Sequence, residues 1–349
     1  MRARSLYVDA KSADALIGAI VAADTRAADG KIALRKGTRI GAGDAAALAR
    51  LQGREIHVVE LGPGELVQDE VADRLARTLS GPGTVAAPAS QGQARLTATV
   101  RGVLRVRPEV VRAVNDRPPL LLFTHLDGQA VGEGDEVAGV KSAALGTPER
   151  LVTEVETELR GVPAIQVEAF RARDVLLVVT ERLEARGRGL VIDAVQKKLA
   201  WYGSTLSRVA EVAHDREAVR TALAAVAGAR ASGAGDASEP GLVLVSGANP
   251  LDPLDPAIVA LRELGGEVLR TGVPGHPGSM AWAGRLGRAP VLGVATCAGF
   301  GKDTALDLVL TRVLAGEPPE SAVSAIGYGG LLEGPAGVAR YPRPDGAHH

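Results

Sequence analysis

The stretch LVLVSGANPLDPLDPAIVALRELGGEVL, residues 242–269, changes character twice. Leu242 to Val245 form an apolar run suited to a strand buried on both faces. Ser246-Gly247-Ala248-Asn249 then breaks the run, and the seven positions 250–256 hold three prolines and two aspartates. From Pro256 the apolar residues return at helical spacing, so the stretch reads as strand, stiff turn and helix. Asp255 before Pro256 matches a helix N-cap followed by proline at the first helical position, a role in which asparagine would also serve.

The same alternation runs outward on both sides. DVLLVVT (174–180) is a continuous apolar strand, and residues 189–202 place Leu190, Val191, Ala194, Val195 and Leu199 on one helical face. Residues 204–212 read as a second strand, and 215–229 as a helix with Asp215 at its N-cap. Beyond the opening stretch, 267–273 and 289–296 are further strands and 302–316 a closing helix. Strands alternating with helices predict right-handed crossovers and parallel pairing, hence a three-layer α/β domain with a mostly parallel sheet. Ligands of such sheets bind beyond the carboxyl ends of the strands, where 246–255 falls. The earlier part lacks this rhythm. It gives a strand, a short helix from Asp44 and another strand within 31–61, an amphipathic helix over 65–80, and strands within 93–106 and 120–145. The expected organisation is an α+β domain over 1–168, the α/β domain over 169–332, and a loose Pro/Gly-rich tail over 333–349.

Composition narrows the function. Hydrophobic residues are 46% and charged residues 23%, the balance of a globular protein, while aromatics at 3% leave the cores to Val, Leu, Ile and Ala. Forty basic and 41 acidic residues give a net charge of -1 with no basic stripe, which argues against a nucleic-acid partner. The single cysteine, Cys297, excludes an internal disulfide and a cysteine-built zinc site. No segment is apolar enough for a signal peptide or a membrane span, so a cytoplasmic location is expected.

A Gly-bearing turn between a strand and a helix is a general anion site, and Ser246, Gly247, Ala248 and Asn249 supply its small, polar part. Capping alone explains Asp255. The alternative is that Asp255 and Asp215, both beyond strand ends, hold Mg²⁺ beside a phosphate and take part in catalysis. VPGHPGS (273–279) reads either as a second anion-binding turn, with Gly278, Ser279 and His276 at the ligand, or as a plain loop. Cys297 either faces the ligand or packs, and Lys302 either meets a phosphate or is solvated.

Residues 174–226 followed by LVLVSGANPLDPLDPAIVAL resemble the molybdopterin-binding domain shared by molybdopterin adenylyltransferases and molybdotransferases. Pro253-Leu254-Asp255 stands where that family has Pro-Arg-Asp, His214-Asp215-Arg216-Glu217 where it has Pro-Asp-Glu, and Thr180-Glu181 at the polar end of its first strand. Residues 270–316, which carry Cys297 and Lys302, and 32–76 are similar to a bacterial subgroup often fused to a molybdopterin cytidylyltransferase-like domain. The resemblance implies molybdopterin or molybdenum cofactor as ligand, with Mg²⁺ on Asp215 and Asp255 in an active relative. It also implies a homo-oligomer, and a nucleotidyltransferase or molybdoenzyme partner in trans. If the chain is an enzyme, the resemblance implies an adenylyltransferase- or molybdotransferase-like one; a non-catalytic assembly factor that docks a partner enzyme is the other class. Departures favour binding over chemistry. Gly-Gly-Thr-Gly has become Gly247-Ala248-Asn249-Pro250, Pro250 lacks an N–H, Leu254 replaces a basic residue, and Ala295-Thr296 stands for a proline-glycine pair.

Overall fold

The computed structural model describes residues 1–9, 12–228, 241–294, 304–327 and 330–332. The chain forms two compact units, one made of Met1–Val100, Arg105–Asp127 and Glu133–Val167, the other of Arg101–Leu104, Gly128–Gly132 and Glu168–His349.

In the first unit, helix α1 (Gln68–Leu79) precedes strands β1 (Thr84–Ala86) and β2 (Gln93–Ala98). Helix α2 (Pro108–Asn115), β3 (Leu120–Thr124), β4 (Glu136–Ser142) and helix α3 (Glu149–Glu158) follow. The strands form an antiparallel sheet in the order β3-β4-β2-β1. Helix α1 is amphipathic, burying Val71, Ala72, Leu75, Ala76 and Leu79 on one stripe. The predicted single strand over 93–106 is broken at 99–101, and helices α2 and α3 are additions to the sequence reading. The outer edge of β3 is closed by a side chain: Asn115 Nδ2 donates to the Leu122 carbonyl (2.9 Å) and the Leu122 N–H donates to Asn115 Oδ1 (2.7 Å). An amide that satisfies both groups at the middle of an edge strand blocks strand addition there.

Arg74 ties α1 to α3. Its guanidinium donates to Glu156 through Nε (2.9 Å) and Nη2 (2.6 Å), and to Glu149 through Nη1 (2.8 Å). The hydrogen bonds from Arg74 hold the Glu156 carboxyl below its ordinary range, against the opposing effect of burial. Lysine cannot reproduce the two-pronged contact, so Arg74→Lys is expected to cost about 1–2 kcal/mol at pH 7. A carboxyl with a depressed folded pKa stabilises above its unfolded pKa and loses that contribution as pH falls through the folded value. The difference between wild type and variant should therefore be full at neutral pH and shrink below about pH 4, as urea unfolding at a series of pH values would show.

The second unit carries β5 (Asp174–Val179), α4 (Ala185–Trp201), β6 (Thr205–Glu211) and α5 (Arg216–Gly228). Next come β7 (Leu242–Ser246), α6 (Pro256–Glu263), β8 (Glu267–Thr271), β9 (Trp282–Leu286) and β10 (Ala289–Val294), then helices α7 (Ala305–Ala315) and α8 (Pro319–Ser324). The sheet order is β6-β5-β7-β10-β9-β8. Alternate residues of the central strands serve two cores. Val175, Leu177, Leu242, Leu244 and Leu292 pack with α4 and α7, whereas Leu176, Val178, Val243, Val245 and Val291 pack with α5 and α6.

The mostly parallel sheet expected from the sequence is corrected to a mixed one. β6, β5, β7 and β10 are parallel, but β9 and β8 add to β10 as antiparallel strands. The cause is a two-residue hairpin. Leu286 pairs with Ala289 across Gly287-Arg288, and Gly287 takes φ 58° at the first turn position. A chain that reverses in two residues cannot make the long crossover that parallel pairing needs. Between β9 and β10, Gly293 leaves room for the Trp282 ring, which a Cβ would overlap.

Candidate functional site

Strands β6, β5 and β7 run parallel side by side, so the residues just after each of them meet at one edge of the sheet. Thr180 follows β5. Its N–H (3.1 Å) and its Oγ1 (2.9 Å) both donate to the carbonyl of Ser246 at the end of β7. His214, beyond β6, places Nδ1 3.1 Å from Thr180 Oγ1 and Nε2 3.5 Å from Asp255 Oδ2. A carbonyl only accepts, so the Thr180 proton goes to Ser246 and Thr180 Oγ1 accepts from the Nδ1–H of His214. Ser246 Oγ in turn donates to Glu181 Oε1 at 3.1 Å. Thr180, Glu181 and Ser246 thus form one hydrogen-bonded cluster with His214 as an unforeseen member, and His214 Nε2 lies beside Asp255.

Asp255 faces inward. It is 2% exposed, Oδ1 accepts the N–H of Ala257 (2.9 Å) as the N-cap of α6, and Oδ2 accepts the N–H of Asn249 (2.8 Å). The turn before it is internally bonded too. The Leu251 N–H goes to Asn249 Oδ1 (3.1 Å), the Leu254 N–H to Asp252 Oδ1 (2.9 Å), and the Asp252 and Asp255 N–H groups to carbonyls of Asn249 and Asp252 (3.1 and 3.0 Å). The prolines add no donor. This turn spends these donors on itself instead of offering them to an anion. Gly247 has φ 91°, and a Cβ there would lie 2.5 Å from Thr180 Oγ1 and 2.6 Å from Glu181 Cγ, so glycine is required for the close approach of the two strand ends.

The other candidates lie as follows. Asp215 is exposed and caps α5, accepting the Ala218 N–H at 3.0 Å. Asp255 has both oxygens engaged by backbone donors, so a cation there would have to share them, whereas exposed Asp215 gives one oxygen to its cap. Among the described residues no three His, Cys, Asp or Glu side chains are grouped to hold a metal ion. Ala248 is half-buried after β7. Gly278 packs on the start of α7, where its Cβ would be 3.0 Å from Thr304 Cβ, and the Ser279 carbonyl accepts the Val273 N–H at 2.9 Å. Cys297 and Lys302 lie outside the described residues.

A cavity of about 470 Å³ opens at the carboxyl ends of β5 and β6, against the first turn of α4. Val179, Leu183 and Val212 give it an apolar side. Its charged wall is Glu181, Arg182, Glu184, Arg188 and Glu211, with Arg188 paired to Glu211 at 3.0 Å. The cavity is open to solvent, and its volume falls within the range of small-molecule sites. Glu181 belongs to both the cavity and the hydrogen-bonded cluster. Arg182, Glu184, Arg188 and Glu211 were not among the sequence candidates. The signal for three of them was present in TERLEARGRG (180–189), where charges and glycines crowd the start of a helix just past a buried strand.

No family model and no curated protein matches the sequence. Among solved structures, the chain is similar to a molybdopterin biosynthesis MoeA protein from Pyrococcus horikosii, at 16% identity and a TM-score of 0.26 over 75% of this chain and 81% of that one. It is also similar to a molybdenum cofactor biosynthesis protein from Pyrococcus furiosus, at 17% identity and a TM-score of 0.23 over 60% of this chain and 71% of that one. Similarity at this level transfers no residue role to the chain.

Proposed function

We propose that this protein binds a phosphorylated pterin, molybdopterin or molybdenum cofactor, at the carboxyl edge of its second-unit sheet and serves in the synthesis, maturation or delivery of that cofactor. The observation that carries the reading is the cavity of about 470 Å³ set against the Thr180–Ser246–Glu181 cluster, at the edge where open α/β sheets bind ligands. Its exposed Arg182 suits the acceptor oxygens of such a ligand, while Arg188 is paired with Glu211. The resemblance of residues 174–261 to molybdopterin-binding domains supplies the ligand's identity.

A binding role is favoured over Mg²⁺-dependent nucleotidyl or molybdate transfer because both oxygens of buried Asp255 accept backbone N–H groups, which leaves exposed Asp215 as the other carboxylate of the pair. Nucleotidyl transfer needs metal on carboxylates facing phosphate, and the Asp255 oxygens are turned towards backbone N–H groups instead. Chemistry on the cofactor would then belong to a partner enzyme in trans. The protein should bind molybdopterin in calorimetry, and addition of ATP with Mg²⁺ should release no pyrophosphate. Arg182→Gln, a change on the exposed surface, should weaken molybdopterin binding at least about tenfold, the loss of one charge-assisted hydrogen bond, with unfolding unchanged. Unaltered affinity in that variant, or pyrophosphate release by the wild type, would sink this reading.

A further inference from the structure

We propose that two copies of this chain pair through their N-terminal strands, antiparallel across a two-fold axis at Ser5. The inference is independent of the ligand reading above and concerns the first unit alone. Arg2–Tyr7 pairs with Glu55–Glu60 in unbroken antiparallel register, at one end of a sheet whose other end is Ile20–Val21. Its outer side carries no strand among the described residues, and every residue of it except Leu6 is exposed. Other sheet edges of the molecule are guarded. Asn115 closes β3, and Ser207 bulges out of β6 with its Oγ donating to the Val175 carbonyl at 3.2 Å. Strand β8 breaks register between Val268 and Arg270. The N-terminal strand has neither bulge nor proline, and an edge of that form accepts a further strand.

Two bonds beside the strand fix which way its backbone groups point. Val8 donates its N–H to the Arg54 carbonyl (2.9 Å) and accepts the Gly53 N–H (2.8 Å), so its groups face inward. Alternation then turns Leu6, Arg4 and Arg2 inward and Ser5 and Ala3 outward. The neighbouring strand agrees: His57, opposite Ser5, accepts the Ala22 N–H at 2.8 Å, on the side away from Ser5. With the two-fold axis at Ser5, the two Ser5 residues exchange both of their N–H···O bonds. Ala3 of each copy then lies across from Tyr7 of the other, and Arg4 across from Leu6. This register is self-complementary. The Tyr7 side chain, 66% exposed, meets the smallest side chain of the strand, and half-buried Leu6 gains the Arg4 stem as a neighbour. An axis at Ala3 sets Arg2 against Arg4, and one at Arg4 sets the two Arg4 side chains together, so like charge opposes both. An axis at Leu6 carries Ala3 past the end of the opposing strand.

Sedimentation equilibrium of the full chain at micromolar concentration should give the mass of two chains. Ser5→Pro removes an outward N–H and none of the backbone bonds to Glu55–Glu60, so it should give the monomer, whereas Ser5→Ala should remain a dimer. Backbone hydrogen exchange supplies a reading that needs no variant. In the wild type the Ala3 and Ser5 amides should be protected in the dimer and lose that protection on dilution, while the Arg4 and Leu6 amides stay protected throughout. The Arg4 and Leu6 amides should also stay protected in Ser5→Pro, with its strand in place. A monomeric wild type would leave this edge to a strand of some other protein and overturn the proposal. So would a dimer whose Ala3 and Ser5 amides exchange freely, or one that survives Ser5→Pro.

Discussion

Asp255→Ala should cost about 2–4 kcal/mol of folding stability, and Asp255→Asn about 1–2 kcal/mol. The alanine variant strips acceptors from two backbone donors, those of Asn249 and Ala257, at a residue only 2% exposed. Loss of the cap at the buried Ala257 N–H and of the acceptor for the part-buried Asn249 N–H each contribute on the order of 1–2 kcal/mol. Asparagine was expected from the sequence to cap without loss. The structure changes that forecast, because the second carboxylate oxygen is an acceptor too and an amide NH₂ placed there would face the Asn249 N–H. Urea unfolding of the two variants decides it: equal stability of Asp255→Asn and wild type would mean that the Asn249 contact contributes nothing. If Asp255→Asn also binds molybdopterin with wild-type affinity, the carboxylate's role is to hold the turn.

What could be read from the chain follows the range of the interactions. Strands β5 and β7 were legible because VLLVV and LVLV are buried on both faces, and a continuous apolar run shows this without any partner being known. The Asp255 cap was legible because capping joins residues two positions apart. His214 was not, since its partner Thr180 lies 34 positions away and only the parallel pairing of β5 with β6 brings them together. The antiparallel edge was missed for a local reason. Trp282–Leu286 contains Gly284, and Gly287-Arg288 looks like any polar loop until the pairing of Leu286 with Ala289 is known. In the first unit, PEVVRAVN carries proline at the first helical position and Val110 and Val114 one turn apart, so α2 was readable; its brevity hid it. The cavity wall was hidden in a different way. Arg182, Glu184 and Arg188 each look like solvated charges, and what distinguishes them is a shared concavity with Glu211 at the end of β6.

Gly247→Val should be among the most destabilising single changes at this edge, with an expected loss of about 3 kcal/mol or more. Two costs add. A β-branched residue held at φ 91° is strained by about 1–3 kcal/mol, and the site has no free room for its side chain. The first carbon alone would lie 2.5 Å from Thr180 Oγ1 and 2.6 Å from Glu181 Cγ, with the Glu181 backbone nitrogen at 3.0 Å. Something must move, and each neighbour is bonded to another part of the cluster: Thr180 to Ser246 and His214, Glu181 to Ser246 Oγ. Gly247→Ala carries the same backbone strain and the same first-carbon overlap without the branch, so about 2–3 kcal/mol is expected, less than for valine. Ligand affinity in the alanine variant then tests the link between packing and site. Displacing Glu181, which lines the cavity, should weaken molybdopterin binding, whereas Gly187→Ala, in the early part of α4 where a Cβ meets nothing within 4 Å, should leave it intact. Wild-type stability and affinity in Gly247→Ala would mean that the strand ends can separate at no cost, and that the close packing of β5 against β7 does not position Glu181.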